Sequence, residues 1–406
     1  MKQPLDGVRV LDLSRMLAGG WATMILGDLG AEVIKIEHPD GGDPLRSMPP
    51  HFLAGESAYF LAISRNKKSV TLDLATPEGR EIFLDLAKVS HAVVDNFRPG
   101  VMQRLGLTWE SLREVNPRLV CCSISAYGST GPLRDGPAFD LVIQALSGMM
   151  SYTGEPGRPP VRMGAPMGDL SGSMYAVLAV CAALYAAERT GEGREIDLGL
   201  LDCLVSMHTY VHQYYRIGGE IQGPAGSGHM SVVPYRAYRA SDGFLVVAVF
   251  VDEFWARLCR AIGRPELAAD PRYASAAARL ERREEVDALL EGVFAGGTAA
   301  TWADLLAAEG VPAAQVLRVD EALAHPQIEE RGMLKSVEHP ACGEIEVLGN
   351  PVRQPGVEGR PMAPPPLLGQ HTGEVLGGLL GIGAERLREL EEQGIVAIEH
   401  GDCQRA

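Results

Sequence analysis

The sequence predicts a doubly wound α/β domain followed by a smaller α+β domain, and three observations carry that prediction. Short apolar runs alternate with helical segments across residues 8–198. The chain opens strand–helix–strand, which implies a parallel sheet. Composition then breaks at residues 217–228 (IGGEIQGPAGSG), a glycine-rich stretch after which the alternation stops.

In chain order, residues 8–13 (VRVLDL) form a short apolar strand. Residues 18–29 are small and apolar with Gly30 as their stop, and so predict a helix. Residues 32–36 (EVIKI) give the second strand and 69–74 a third. Thr76 and Pro77 supply a cap and a first position for a helix reaching about residue 89. Strands follow at 92–95, 119–124 and 195–198, with a short helix at 109–115. The alternation predicts a doubly wound, Rossmann-like large domain over residues 1–217, then a linker over 218–229. Beyond it, a strand at 244–250 and helices at 253–262, 276–294 and 300–309 predict the small domain over 230–325. Residues 326–406 carry a strand at 344–348, a proline-rich stretch and terminal helices. They are too short to fold alone and are expected to pack back on the large domain.

The balance of 37 Lys and Arg against 52 Asp and Glu, a net charge of −15, excludes a general nucleic-acid or membrane-surface binder. Seven cysteines without a CxxC pair fit a reducing compartment. The N-terminus shows no apolar signal core, and no apolar run is read as a membrane span with proper flanks. The expected location is the cytoplasm.

The organising residue is Asp169, in GAPMGDLSGSMYA (residues 164–176), where small residues lead into an apolar helix running to Arg189. Asp169 is read as the N-cap, its carboxylate beside the free first-turn amides. Gly168, Ser171, Gly172 and Ser173 leave room around it for a ligand or another backbone. The helix behind it is apolar enough to be a buried element. A capping role alone and a chemical one both remain open at this point.

Other patterns narrow the chemistry. SRMLAGGWAT after the first strand lacks the GxGxxG spacing of a dinucleotide fold, and no GxxxxGK[ST] or GxSxG occurs. Arg15, Lys35, Arg46, Arg65, Lys67, Lys68, Arg98 and Arg104 fall at expected strand ends, where open α/β sheets bind ligands. Such a cluster suits several phosphates. In NFRPG (residues 96–100) an aromatic and a cation follow a strand, a pairing that can stack a base and take a phosphate. His208 and His212 stand four apart but lack a third ligand, so no metal site is expected. Cys121 and Cys122 fall in a buried strand, poor ground for a reactive thiolate.

Taken together, LDGVRVLDLSRMLAGGWATMILGDLGAEVIKIEHPDGGDPLR, RNKKSVTLDL, VVDNFRPGVMQRLGL, NPRLVCCSISAYGSTGP, GAPMGDLSGSMYA, HMSVVPYRAYRASDGFLVVAV and PPPLLGQHT resemble the class III CoA-transferases, the formyl-CoA and carnitine CoA-transferase family. GSGHMSVVPY and the C-terminal HPACGEIEVLGNPVR look most like the dicarboxylate branch, the succinyl-CoA:glutarate type. The resemblance implies that Asp169 attacks an acyl-CoA thioester to form a mixed aspartyl anhydride, with succinyl-CoA as donor and a short dicarboxylate as acceptor. It implies coenzyme A as substrate rather than a resident cofactor, and an interlocked homodimer with no nucleic-acid or membrane partner. By position, Arg15, His38, Leu72, Asn96, Phe97, Arg98, Arg104 and Phe139 would line the CoA site. Residues 224–229, with Gly226, Gly228 and His229, would form the loop that keeps water from the anhydride. Leu17 stands where formyl-CoA transferases have a glutamine, which speaks against formyl or oxalyl chemistry. Arg15, Arg46, Arg65 and His229 are the candidates for a distal carboxylate. Two alternatives share the fold: a 2-methylacyl-CoA racemase, disfavoured because Phe139 replaces its proton-carrying histidine, and a CoA-ester-binding protein without catalysis.

Overall fold

The structure is a computed structural model that describes residues 2–357 and 361–399. Cys403, with the rest of residues 400–406, lies outside the described residues. The chain divides into two compact units. The larger is built from the chain up to Met149, from Met163–His212 and from Glu329 onward; the smaller from Met150–Arg162 and Gln213–Ile328.

In the larger unit, six strands among the described residues form one parallel sheet: β1 (Arg9–Asp12), β2 (Glu32–Glu37), β3 (Lys67–Thr71), β4 (Ala92–Asp95), β5 (Val120–Ser125) and β6 (Glu195–Gly199). Their spatial order is β3-β2-β1-β4-β5-β6, so the direction of winding reverses between β1 and β4. That reversal leaves a crevice at the carboxyl ends of β1 and β4. The inner strands are largely apolar because both faces are covered: Val10, Leu11, Ile34, Val70, Val93 and Cys122 are buried. Of the helices, α1 (Met16–Asp28) returns the chain from β1 to β2, and α2 (Pro77–Lys88) starts where Thr76 Oγ1 accepts the Gly79 N–H, as its Thr-Pro start predicts. Then come α3 (Asp140–Leu146) and the long α4 (Met167–Thr190).

Three expectations about α4 need correction. It begins before Asp169, with Pro166 at the cap, so Asp169 lies inside the first turn rather than capping it. By length and composition it is apolar enough to cross a membrane, contrary to the reading that no run is. In the fold only its small-residue face is buried, while Met174, Leu178 and Tyr185 are exposed. Gly168, Ser171, Gly172 and Ser173 therefore serve close helix packing, not ligand room. A Cβ at Gly172 would sit 2.2 Å from Leu200 Cδ2, and Ser173 Oγ donates to Ala18 O across the α1 contact.

The C-terminal segment closes the open edge of the sheet. His371 N donates to Ser69 O, Thr372 Oγ1 accepts the Thr71 N–H at 3.0 Å, and Asp73 N donates to Ile395 O. Val375, Leu376, Leu390 and Ile395 join the same core as Ile34 and Val70. The hairpin Leu334–His339/Gly343–Leu348 contains the expected strand and a partner that sequence patterning did not reveal.

In the smaller unit, strands Tyr235–Arg239, Phe244–Ala248 and Ala313–Gln315 form an antiparallel sheet around a core that includes Trp255, Leu258, Leu290 and Phe294. The single helix expected at 276–294 is two, Ala276–Glu281 and Arg283–Phe294. Arg279 explains the break: fully buried, it donates to the carbonyls of Val233 and Tyr273 and to Asp252, fixing the first helix independently. The excursion Met150–Arg162 has no mark in composition, yet it belongs here, and Gly226 N donates to Gly154 O at 2.8 Å.

Candidate active site

A cleft of about 540 Å³ opens at the carboxyl ends of the strands, lined entirely by the larger unit. Asp169 reaches it from the first turn of α4, Leu17 from the start of α1. Seven of the eight residues expected at a CoA site line it: Arg15, His38, Leu72, Asn96, Phe97, Arg98 and Phe139. Arg104 ends the short helix Val101–Arg104, exposed and outside the lining. Gly226, Gly228 and His229 belong to the smaller unit, where His229 O accepts from Arg283 at 2.9 Å.

The wall around Arg15 is rigid. Asn96 clamps its backbone, accepting the Arg15 N–H at 2.8 Å and donating to Arg15 O at 2.6 Å, so the Asn96 amide is spent on the protein. Met16 holds a left-handed backbone, φ 60°, a conformation that costs about 1–3 kcal/mol for a non-glycine residue. It is held because Lys35 Nζ binds Ser14 O at 2.7 Å and Asp43 at 2.8 Å, while Asp43 Oδ1 also accepts the Met16 N–H. Freed of structural duty, the Arg15 guanidinium lies 5.3 Å from the centre of the Phe97 ring. Phe97 thus carries Arg15 rather than its neighbour Arg98.

The basic cluster expected at strand ends divides sharply. Lys35 and Lys67 are buried and paired with Asp43 and Asp12. Arg46 grips Glu37 through two bonds and Arg65 grips Asp28 likewise, which removes both as carboxylate receptors. Lys68 pairs with Glu32 and Glu374. Among the described residues, Arg15 and Arg98 remain without an acidic partner in the cleft. Sequence reading missed Arg134, which also lines the cleft and pairs only with the adjacent, exposed Asp135. The strand-end rule that found the others applies to it, since it lies in the loop after β5. It missed Tyr59 as well, on the helix Ala58–Ile63, which no spacing marks.

Asp169 is chemically distinct from every other carboxylate there. Among the described residues no hydrogen bond reaches its side chain; only its backbone carbonyl accepts, from Ser173. Burial pushes its carboxyl up to about 6, and the charge of Asp140 adds to the rise. Tyr59 is also raised, first by burial and then by Asp169 and Asp140. At neutral pH such a carboxylate is mainly ionised yet unstabilised by donors, the condition a carboxylate nucleophile needs. Burial raises the Cys122 thiol to about 12, so it is inert. His208 Nε2 meets Ser147 O at 2.7 Å.

Comparison with known proteins places the chain in a family. The family model for CoA-transferase family III matches residues 5–372. The human succinyl-CoA:glutarate CoA-transferase is 38% identical over 394 residues, covering 97% of this chain and 90% of that protein. The Chloroflexus aurantiacus succinyl-CoA–D-citramalate CoA-transferase is 35% identical and covers 97% of this chain and 98% of its own length. A CAIB/BAIF family protein from Brucella suis superposes with a TM-score of 0.83 at 35% identity, over 93% of this chain and all of that one. The chain belongs to CoA-transferase family III.

Proposed function

We propose that this CoA-transferase moves CoA from succinyl-CoA, or a similar donor, to a short dicarboxylate through an anhydride on Asp169. The observation that carries the reading is a donor-free, mostly buried carboxylate at the head of a long helix, facing a cleft with unpaired arginines. An Asp169 oxygen attacks the thioester carbonyl, the C–S bond breaks, and the CoA thiolate leaves with the electron pair. The acceptor carboxylate then attacks the aspartyl carbonyl of the anhydride and releases the donor acid. Finally the thiolate attacks the acceptor's acyl carbon, giving the new acyl-CoA and free Asp169. No high-energy phosphate enters, because one thioester replaces another.

Arg98, His38, Phe97, Phe139 and Arg104 are assigned to CoA, and Arg15 to a phosphate or the distal carboxylate. The acids in the relatives' names, glutarate and D-citramalate, are the model for the acceptor class. Leu17, buried and apolar at the head of α1, offers a small acyl group no side-chain hydrogen bond. Residues 224–229 are assigned to shielding the anhydride, and the exposed apolar row of Leu141, Leu146, Met174, Leu178 and Tyr185 to the interface of a homodimer.

The test is succinyl-CoA with a panel of carboxylic acids, wild type beside Asp169→Asn, and mass spectrometry of the CoA esters. New dicarboxylyl-CoA from wild type alone supports the reading. Exchange of the α-proton of a 2-methylacyl-CoA without any transfer would replace it with racemase chemistry.

A further inference from the structure

We propose that Asp140 is a positioning residue for the nucleophile. It takes up a backbone donor at the head of α4 and stands as a second negative charge beside Asp169, so the reacting carboxylate stays free of protein donors. The inference rests on the reading of Asp169 as the nucleophile.

The geometry is specific. Asp140 opens α3, and its Oδ1 accepts the Gly168 N–H at 2.7 Å. Its Oδ2 accepts from Gln144 Nε2 at 2.7 Å, and the fully buried Gln144 accepts the Met163 N–H at 2.8 Å. Asp140 is therefore braced against the loop that delivers Asp169. Only glycine at 168 permits this, because a Cβ there would come within 2.9 Å of Asp140 Oδ1.

Two further positions ahead of Asp169 also offer it no donor. Pro166 has no N–H, and the Met167 N–H goes to Ala165 O at 2.8 Å. A carboxylate in a first helical turn is ordinarily stabilised by such amides. Here the balance is reversed, since burial and the Asp140 charge both favour the protonated form. Other titratable groups on the surrounding elements are Arg15, His38, Tyr59, Arg98 and Arg134 in the cleft, Asp28 at the end of α1, Cys121 and Cys122 on β5, Glu195 and Asp197 on β6, and Asp202 and Cys203 on the helix Leu200–Ser206. Of the charged groups, Asp140 is the one that adds to the rise at Asp169.

The experiment follows acylation of the full-length enzyme by succinyl-CoA against pH, with hydroxylamine trapping the acylated aspartate for peptide mass spectrometry. Wild type is expected to show an acid limb near 6. In Asp140→Asn the limb should move down by about one pH unit, with the plateau rate falling about three- to tenfold. Asp140→Glu, which keeps the charge, should restore the limb. A merely structural Asp140 would lower the rate and leave the limb in place, so an Asp140→Asn limb coincident with wild type overturns the proposal. If Asp140→Asn does not fold, a wild-type limb near 4 overturns it equally. Trapping on a residue other than Asp169 would instead refute the nucleophile reading, separately from Asp140.

Discussion

Asp12 and Asp169 are both carboxylates withdrawn from water in the larger unit, and they have opposite chemistry. Asp12, at the end of β1, receives Lys67 Nζ at 2.8 Å, Thr23 Oγ1 at 2.7 Å and the Ser14 N–H at 2.9 Å. Burial alone would raise its carboxyl, but Lys67 and Lys35 overcome it and hold the group at about 2. Asp169 receives nothing and rises to about 6. Burial therefore does not decide reactivity; the supply of donors and countercharges does. One site uses its charge to hold β1, α1 and β3 together, the other keeps its charge available.

The largest effect that sharpens this contrast is loss of the free carboxylate. Asp169→Asn is expected to lower transfer by at least about 10⁴-fold, measured as CoA-ester exchange. On the other side, Lys67→Met strands Asp12 as an unpaired buried charge and should cost about 3–5 kcal/mol in denaturant unfolding. A loss below about 1 kcal/mol would show that water reaches Asp12 and break the comparison. Acid should separate the two sites further. Asp12 contributes stability above its unfolded value near 4, lost as pH falls toward 2.

Asp169 has the opposite sign. Its raised folded value means that ionisation costs stability, a cost that develops as pH rises from about 4 through 6. Asp169→Asn should accordingly stabilise the fold by about 1–2 kcal/mol at pH 8 and by nothing measurable at pH 4. The smallest effect divides the arginines. Arg15→Ala should raise KM for the acyl-CoA or the acceptor by about tenfold, whereas Arg65→Gln, removed from the cleft by its hold on Asp28, should leave KM unchanged and lower stability.

The elements legible in the sequence were those with local signals. The Thr-Pro start of α2, the short strands β1 to β6 and the small-residue approach to Asp169 depend on residues adjacent in the chain. The position of Asp169 within its helix was misread because Pro166, not a polar cap, begins α4. Arg46 and Arg65 looked like free cations because their partners, Glu37 and Asp28, are ordinary in sequence and meet them only in the fold. Asp140 gave no sign for the same reason: its bond to Gly168 spans 28 residues. Composition could not place Met150–Arg162 in the smaller unit, since membership there is decided by packing.

The strap laid along β3 by His371, Thr372 and Ile395 bears on how the protein is made. Until residues 371–395 have been made, the outer edge of β3 has no partner, and its amides and carbonyls are open to any passing extended peptide. The sheet is sealed only once residues 371–395 have folded back onto it. A premature stop between residues 350 and 370 would leave every cleft residue translated, yet yield a polypeptide without the strap, destined for chaperones, aggregates or proteases.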